Sequence, residues 1–366
     1  MRFVWRAALA GALAWALPPV ALASYPGRDG ALVYQVESQW TAGNHGSCDY
    51  CWGGLSGIFR LEPNVRPESF GHCLFAERPQ RHCESGVSLT QCVWGVFGTA
   101  MCVPLHPSFS PDGRRLAFTE SGVGVCTYDD GCTPSSGPPR TITLTDPGGG
   151  HPVSLAPLTA SDDEPAFLPG GETLVFAGRP RGSGSRTAQQ LYEVRIDGTG
   201  LRQLTTSGAS EPAPCADGSI AFVHAGNIYL RGANGRHVRR LTVHGGLRPD
   251  CAPDSRAVAF VRGGDIYLVG RRGGPLRRLT VERQVQSGPV FSPSGRRLAF
   301  TITLGNPSSD TCTIGVDAID AVAVVDLDGR SVAAPAPIAN DAVDDGDCGG
   351  HYSAAGALSW QPLPAG

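Results

Sequence analysis

The feature that most constrains this chain is a unit that it repeats. "HPSFSPDGRRLAF", beginning at His106, returns in altered form as "EPAFLPGGETLVF" at Glu164, "EPAPCADGSIAF" at Glu211, "RPDCAPDSRAVAF" at Arg248 and "GPVFSPSGRRLAF" at Gly288. Successive starts lie 58, 47, 37 and 40 residues apart, so the unit is about 40 residues long and carries insertions. Each copy halts an extended stretch at Ser-Pro-Asp-Gly or a near equivalent and resumes at once with an apolar run. That is the pattern of a tight turn between two strands. A second half follows and is built in the same way, with "LYEVRIDGTGLRQLT" at Leu191, "IYLRGANGRHVRRLT" at Ile228, "IYLVGRRGGPLRRLT" at Ile266 and a weaker "VAVVDLDGRSV" at Val322. Their Asp-Gly, Asn-Gly and Gly-Gly pairs are hairpin signals.

A unit therefore reads as four short strands in a meander. One such sheet cannot bury both of its faces alone, whereas sheets packed radially cover one another. The expected fold is all-β, a β-propeller of four-stranded antiparallel blades. The chain ends extend the argument. "ALSWQP" at Ala357 resembles the first strand of a unit, and "DGALVY" at Asp29 resembles the turn and second strand. Joined, they make one blade, which predicts six blades closed by pairing of the N- and C-terminal strands; long insertions leave seven open.

With these motifs in view, the units resemble the TolB-type (WD-like) propeller repeat, which pairs an F-S-P-D-G-x-x-L-A-F core with an I-Y-x-x…R-x-L-T tail. The resemblance covers most of residues 29–362. It implies the propeller fold and leaves function open, because this fold serves many functions. The additional α/β domain that precedes the propeller in TolB proper has no counterpart in the sequence, nor does the peptidase domain of propeller-bearing prolyl peptidases.

The first residues, "MRFVWRAALAGALAWALPPVALAS", read as a secretory signal, residues 1–23, with Arg2 and Arg6 as its basic start and Ala21-Leu22-Ala23 as its cleavage motif. The expected mature chain is one propeller domain over 24–366, exported to the periplasm or the cell exterior, with no membrane span. It retains 28 basic and 33 acidic residues. That balance argues against nucleic acid and anionic membranes as partners. All 30 basic residues are arginine, which excludes lysine Schiff bases, Ser-Lys dyads and P-loop phosphate binding.

In a propeller the first strand of each blade lines the central channel. The aligned channel position holds His106, Glu164, Glu211, Arg248, Gly288 and Ala357, with Asp163 beside Glu164. His106, Asp163, Glu164, Glu211 and Arg248 are the ligand-binding candidates. They suit a small polar ligand; His106, Glu164 and Glu211 could alternatively hold a metal. Neither a G-x-S-x-G elbow nor an H-E-x-x-H motif occurs, and no catalytic residue, cofactor or resident metal is expected.

Twelve cysteines in an exported chain read as disulfides. Cys215 and Cys251 occupy first strands of adjacent units and are expected to bridge blades. Cys126 would pair with Cys132, and Cys312 with Cys348. Cys48, Cys51, Cys73, Cys83, Cys92 and Cys102 crowd an expected Cys-rich insertion at about 35–105, and their pairing is open. Exposed "RRLT" arginines at Arg239-Arg240 and Arg277-Arg278 would guard outer strand edges. The function expected from these features is a monomeric, non-catalytic binding scaffold for a protein, glycan or small polar ligand. The alternative is a metal-assisted hydrolase or lactonase with its site in the channel.

Overall fold

A computed structural model describes residues 26–45, 48–61, 86–94, 101–123, 140–184, 186–281, 288–303, 320–327, 336–337 and 351–364. The expected signal segment, residues 1–23, lies outside them. The regular elements among the described residues are all β-strands. Three come first: β1 (Arg28–His45), β2 (Cys48–Leu61) and β3 (Gly86–Trp94). Blade A follows, with β4 (Met101–Phe109), β5 (Leu116–Val123), β6 (Thr141–Thr145) and β7 (Val153–Ser154). Blade B holds β8 (Ser161–Phe167), β9 (Thr173–Arg179), β10 (Gln190–Arg195) and β11 (Arg202–Gln203). Blade C holds β12 (Ser210–Pro214), β13 (Ile220–His224), β14 (Asn227–Arg231) and β15 (Val238–Arg240). Blade D holds β16 (Leu247–Cys251), β17 (Ala257–Arg262), β18 (Asp265–Gly270) and β19 (Arg277–Arg278). Blade E holds β20 (Val290–Phe291), β21 (Arg297–Thr303), β22 (Asp320–Asp326) and β23 (Ala336–Pro337). The last strand is β24 (His351–Leu363).

Within each blade the strands pair antiparallel in chain order. Five blades, not six, are thus continuous four-stranded units. The remaining sheet is composite, ordered β24-β1-β2-β3, because neither end of the chain carries four strands of its own. Leu32 stands opposite Trp360, and Tyr34 opposite Leu358. In the span expected to be a Cys-rich insertion, the described residues run as strands of this sheet and the start of β4.

The middle strands are apolar on both faces because each blade is covered by neighbours on both sides. β9 and β13 are buried along almost their whole length. The core is therefore a series of layers between sheets. Val33 and Ile58 of the composite sheet pack on Phe109, Leu116 and Phe118 of blade A. Ile142 and Leu144 of blade A meet Phe167, Leu174 and Phe176 of blade B. Ile228 of blade C meets Val258 and Phe260 of blade D, whose Ile266 meets Phe291, Leu298 and Phe300 of blade E. Blade E is tied to the composite sheet by polar groups. Asp29 accepts the Ser294 N–H at 2.9 Å and pairs with Arg297, whose guanidinium lies 5.3 Å from the Trp360 ring centre. The short outer strands β11, β15 and β19 are exposed and end in arginine or glutamine, as edge strands guarded by charge should.

Candidate binding channel

The first strand of a blade does not run straight. In blades A to D its register against the second strand slips between Leu105 and Ser108, Asp163 and Ala166, Ser210 and Ala213, and Leu247 and Asp250. Each slip is a β-bulge, and each contains the aligned channel residue followed by proline. His106, Glu164, Glu211 and Arg248 all have left-handed backbones, with φ of 52°, 54°, 53° and 52°. This conformation is costly for residues with a Cβ. The proline that follows suits the bulge, because it has no N–H to leave unpaired. Four strained residues at one register position re-aim four side chains the same way.

All six aligned positions, His106, Glu164, Glu211, Arg248, Gly288 and Ala357, line a cavity of about 470 Å3. Prolines 107, 165, 212, 249 and 289 line it too, with Trp360 and Phe291. Its size is in the range of small-molecule sites. Asp163, expected in the lining, is instead buried behind it. Its side chain is 7% exposed, while that of His106 is 35% exposed. Adjacent residues of a strand face opposite ways, and the bulge begins only after Asp163.

Asp163 organises a cluster with three side chains around it, and its Oδ1 also accepts the Glu164 N–H at 3.0 Å. Its Oδ1 lies 2.9 Å from His106 Nδ1 and accepts the Thr119 hydroxyl at 3.1 Å, and its other oxygen pairs with Arg140. Burial opposes charge on Asp163, yet the His106 hydrogen bond, with the charges of His106 and Arg140, holds its carboxyl below the usual range. Burial likewise opposes protonation of His106, but the Asp163 hydrogen bond and charge outweigh it and raise the imidazole. Thr119 and Arg140 come from the second strand of blade A and the residue before its third strand. Repeat alignment of first strands could not find them.

The glutamates serve the blade junctions. Glu164 Oε2 accepts the Glu211 N–H at 2.6 Å, and Glu211 in turn accepts the Arg248 N–H. At Arg248 and Ala357 the side chain two residues on takes the task. Asp250 accepts the Phe291 N–H at 2.7 Å, and Ser359 Oγ accepts the Phe109 N–H at 3.0 Å. At the junction of blades A and B, Thr119 Oγ1 accepts the Glu164 N–H at 3.1 Å. Burial pushes Glu164 up to about 7, against the lowering effect of His106, and pushes Asp250 up to about 7.

Cys215 and Cys251 form the expected disulfide between blades C and D, with Cα atoms 5.2 Å apart. Cys126, Cys132, Cys312 and Cys348 lie outside the described residues, as do Cys73 and Cys83. Among the described residues, no three His, Cys, Asp or Glu side chains converge in a way that could hold a metal. No helix among them is long and apolar enough to cross a membrane.

No protein-family model matches the chain, and no curated protein matches it. Solved structures do. TolB from Acinetobacter baumannii aligns over 93% of this chain and 69% of its own, with a TM-score of 0.55 at 15% identity. A chain of a nidogen/laminin complex aligns over 92% of this chain and 100% of its own, at 0.53 and 12% identity. Hydrazine synthase from Kuenenia stuttgartiensis aligns over 94% of this chain and 48% of its own, at 0.53 and 13% identity. At these identities the likeness is one of fold, and the fold is a β-propeller similar to that of TolB.

Proposed function

We propose that the protein is an exported, non-catalytic β-propeller scaffold that binds a polar ligand in its central channel. The ligand is a small molecule or a projecting segment of a protein or glycan. One observation carries this reading. His106, Glu164, Glu211 and Arg248 are presented to a single cavity from four equivalent strained bulges. Strain gathered at one wall of a cavity points to a site rather than to packing. In this reading the composite sheet is the blade that closes the ring. Export accords with the Cys215–Cys251 disulfide, because such bonds persist in oxidising compartments. The metal-assisted hydrolase reading lacks a ligand set among the described residues.

The test is a ligand-observed NMR screen of small polar compounds and short peptides against the protein and an Ala357→Trp variant, which plugs the channel. Hits lost in a variant with an unchanged melt support the reading. A screen whose hits all survive the plug, or one without hits, refutes it.

A further inference from the structure

The channel contains one arginine, and its surroundings single it out. Elsewhere the arginines near acids are paired: Arg115 with Glu172, Arg140 with Asp163, Arg202 with Glu193, Arg271 with Asp217, Arg278 with Asp265 and Arg297 with Asp29. Arg248 has acids on either side, yet no ion pair of its guanidinium occurs among the described residues. The Glu211 carboxylate takes the backbone N–H of Arg248 instead, and Asp250 takes the N–H of Phe291. Both neighbouring acids are thus turned to the junctions between blades.

The next blade makes room for this side chain. A Cβ on Gly288 would stand 2.6 Å from the Cβ of Arg248, so any larger residue there would displace it. Pro249 and Pro289 flank the position and offer no N–H of their own. Among the described lining residues the guanidinium is therefore the one multidentate donor, set with prolines, carboxyls and small residues and with His106, Phe291 and Trp360 elsewhere on the wall.

From this geometry, and resting on the channel reading above, we infer that the ligand carries a carboxylate which Arg248 grips. The planar fork of a guanidinium matches a carboxylate through two parallel hydrogen bonds. Glu211 and Glu164, farther along the same wall, would repel a second anionic group and accept from N–H or O–H donors. The chemistry selected is a carboxylate at one end with hydrogen-bond donors behind it. A peptide C-terminus and a sugar acid both have that form.

The experiment titrates the protein at low salt with N-acetyl-Ala-Ala and with D-glucuronate, each beside its neutral counterpart, N-acetyl-Ala-Ala amide and D-glucose. Arg248→Gln, Arg248→Lys and Ala357→Trp variants are run in parallel after a melt confirms folding. At least one acid should bind saturably, and its neutral counterpart at least about tenfold more weakly. Arg248→Gln should weaken that acid by roughly ten- to hundredfold, and Arg248→Lys by less. Binding of the peptide acid assigns a chain terminus, and binding of glucuronate a sugar acid. Absence of saturable acid binding, or unchanged affinity in Arg248→Gln, overturns the inference. Neutral probes that bind, and are lost on plugging but not in Arg248→Gln, leave the channel reading standing and remove this one. Acid binding that needs Arg248 yet survives the plug does the reverse.

Discussion

Stability should fall as pH rises from 5 to 8, and Glu164 is one of two carboxyls that set that slope. Unfolded, its carboxyl titrates near the ordinary 4.5; folded, burial places it at about 7. Between those values the folded chain keeps a proton that the unfolded chain has lost, so raising the pH favours unfolding. The full shift corresponds to about 3 kcal/mol, of which about 2.5 kcal/mol is expressed between pH 5 and 8. Asp250, moved from 3.8 to about 7, adds a comparable amount. His106 acts in the same direction. Its folded value is raised, so its contribution is complete in acid and is lost as pH climbs through that value. Asp163 is lowered, and its contribution disappears only in stronger acid, below this window. Urea unfolding followed by tryptophan fluorescence at half-unit pH steps measures the slope. Glu164→Gln keeps an oxygen for the Glu211 N–H and removes the titration, so the pH 5-to-8 difference should shrink by about 2.5 kcal/mol. A flat or rising wild-type curve refutes the reasoning, and so does a Glu164→Gln variant with the wild-type slope.

Three further outcomes are expected. Cys215→Ser with Cys251→Ser opens a crosslink between residues 36 apart and should cost about 4 kcal/mol, read as a lowered urea midpoint under non-reducing conditions. Gly113→Ala should lose roughly 2 kcal/mol in thermal melts, because Gly113 has φ of 67° and a methyl group there would run into the Pro362 carbonyl of β24. Thr119→Val removes one of two acceptors for the Glu164 N–H, the other being Asp163 Oδ1, and a donor to Asp163. It should cost about 1–2 kcal/mol and shift the His106 titration seen by NMR; an unmoved titration would separate Thr119 from the Asp163 cluster.

Much of the blade pattern was legible in the sequence because turn chemistry marks it. Ser-Pro-Asp-Gly at 110–113 and Asn-Gly at 234–235 each impose a reversal, and the apolar runs beside them have to be strands. The composite sheet was legible from Ala357 and Asp29, because one stretch reads as the first strand of a unit and the other as its turn and second strand. The six aligned positions share one cavity wall because equal register means equal direction. Alignment misplaced Asp163 by assuming a continuous wall where the bulge changes the facing of residue 164 alone. The bulge itself left a trace that the alignment did not use. His-Pro, Glu-Pro, Glu-Pro, Arg-Pro and Gly-Pro recur at 106, 164, 211, 248 and 288, and proline inside an otherwise regular strand is a bulge signal. The partners of Asp163 were beyond reach for a different reason. Thr119 and Arg140 meet it only because two blades pack together, and no local pattern encodes that packing.

The recurring bulge also separates two jobs that most strands combine. Its backbone is the same whether it carries an imidazole, a carboxylate or a guanidinium. What identity decides is only what the channel displays and, for the glutamates, which N–H is answered next door. At His106 and Arg248 the second duty has been moved to other side chains, Thr119 and Asp250. Position 248 can therefore be rewritten with little penalty to the ring, whereas His106 also holds the buried Asp163 carboxylate. If the proposed channel binds its ligand as inferred, retargeting it would begin at residue 248 with the glutamates left in place.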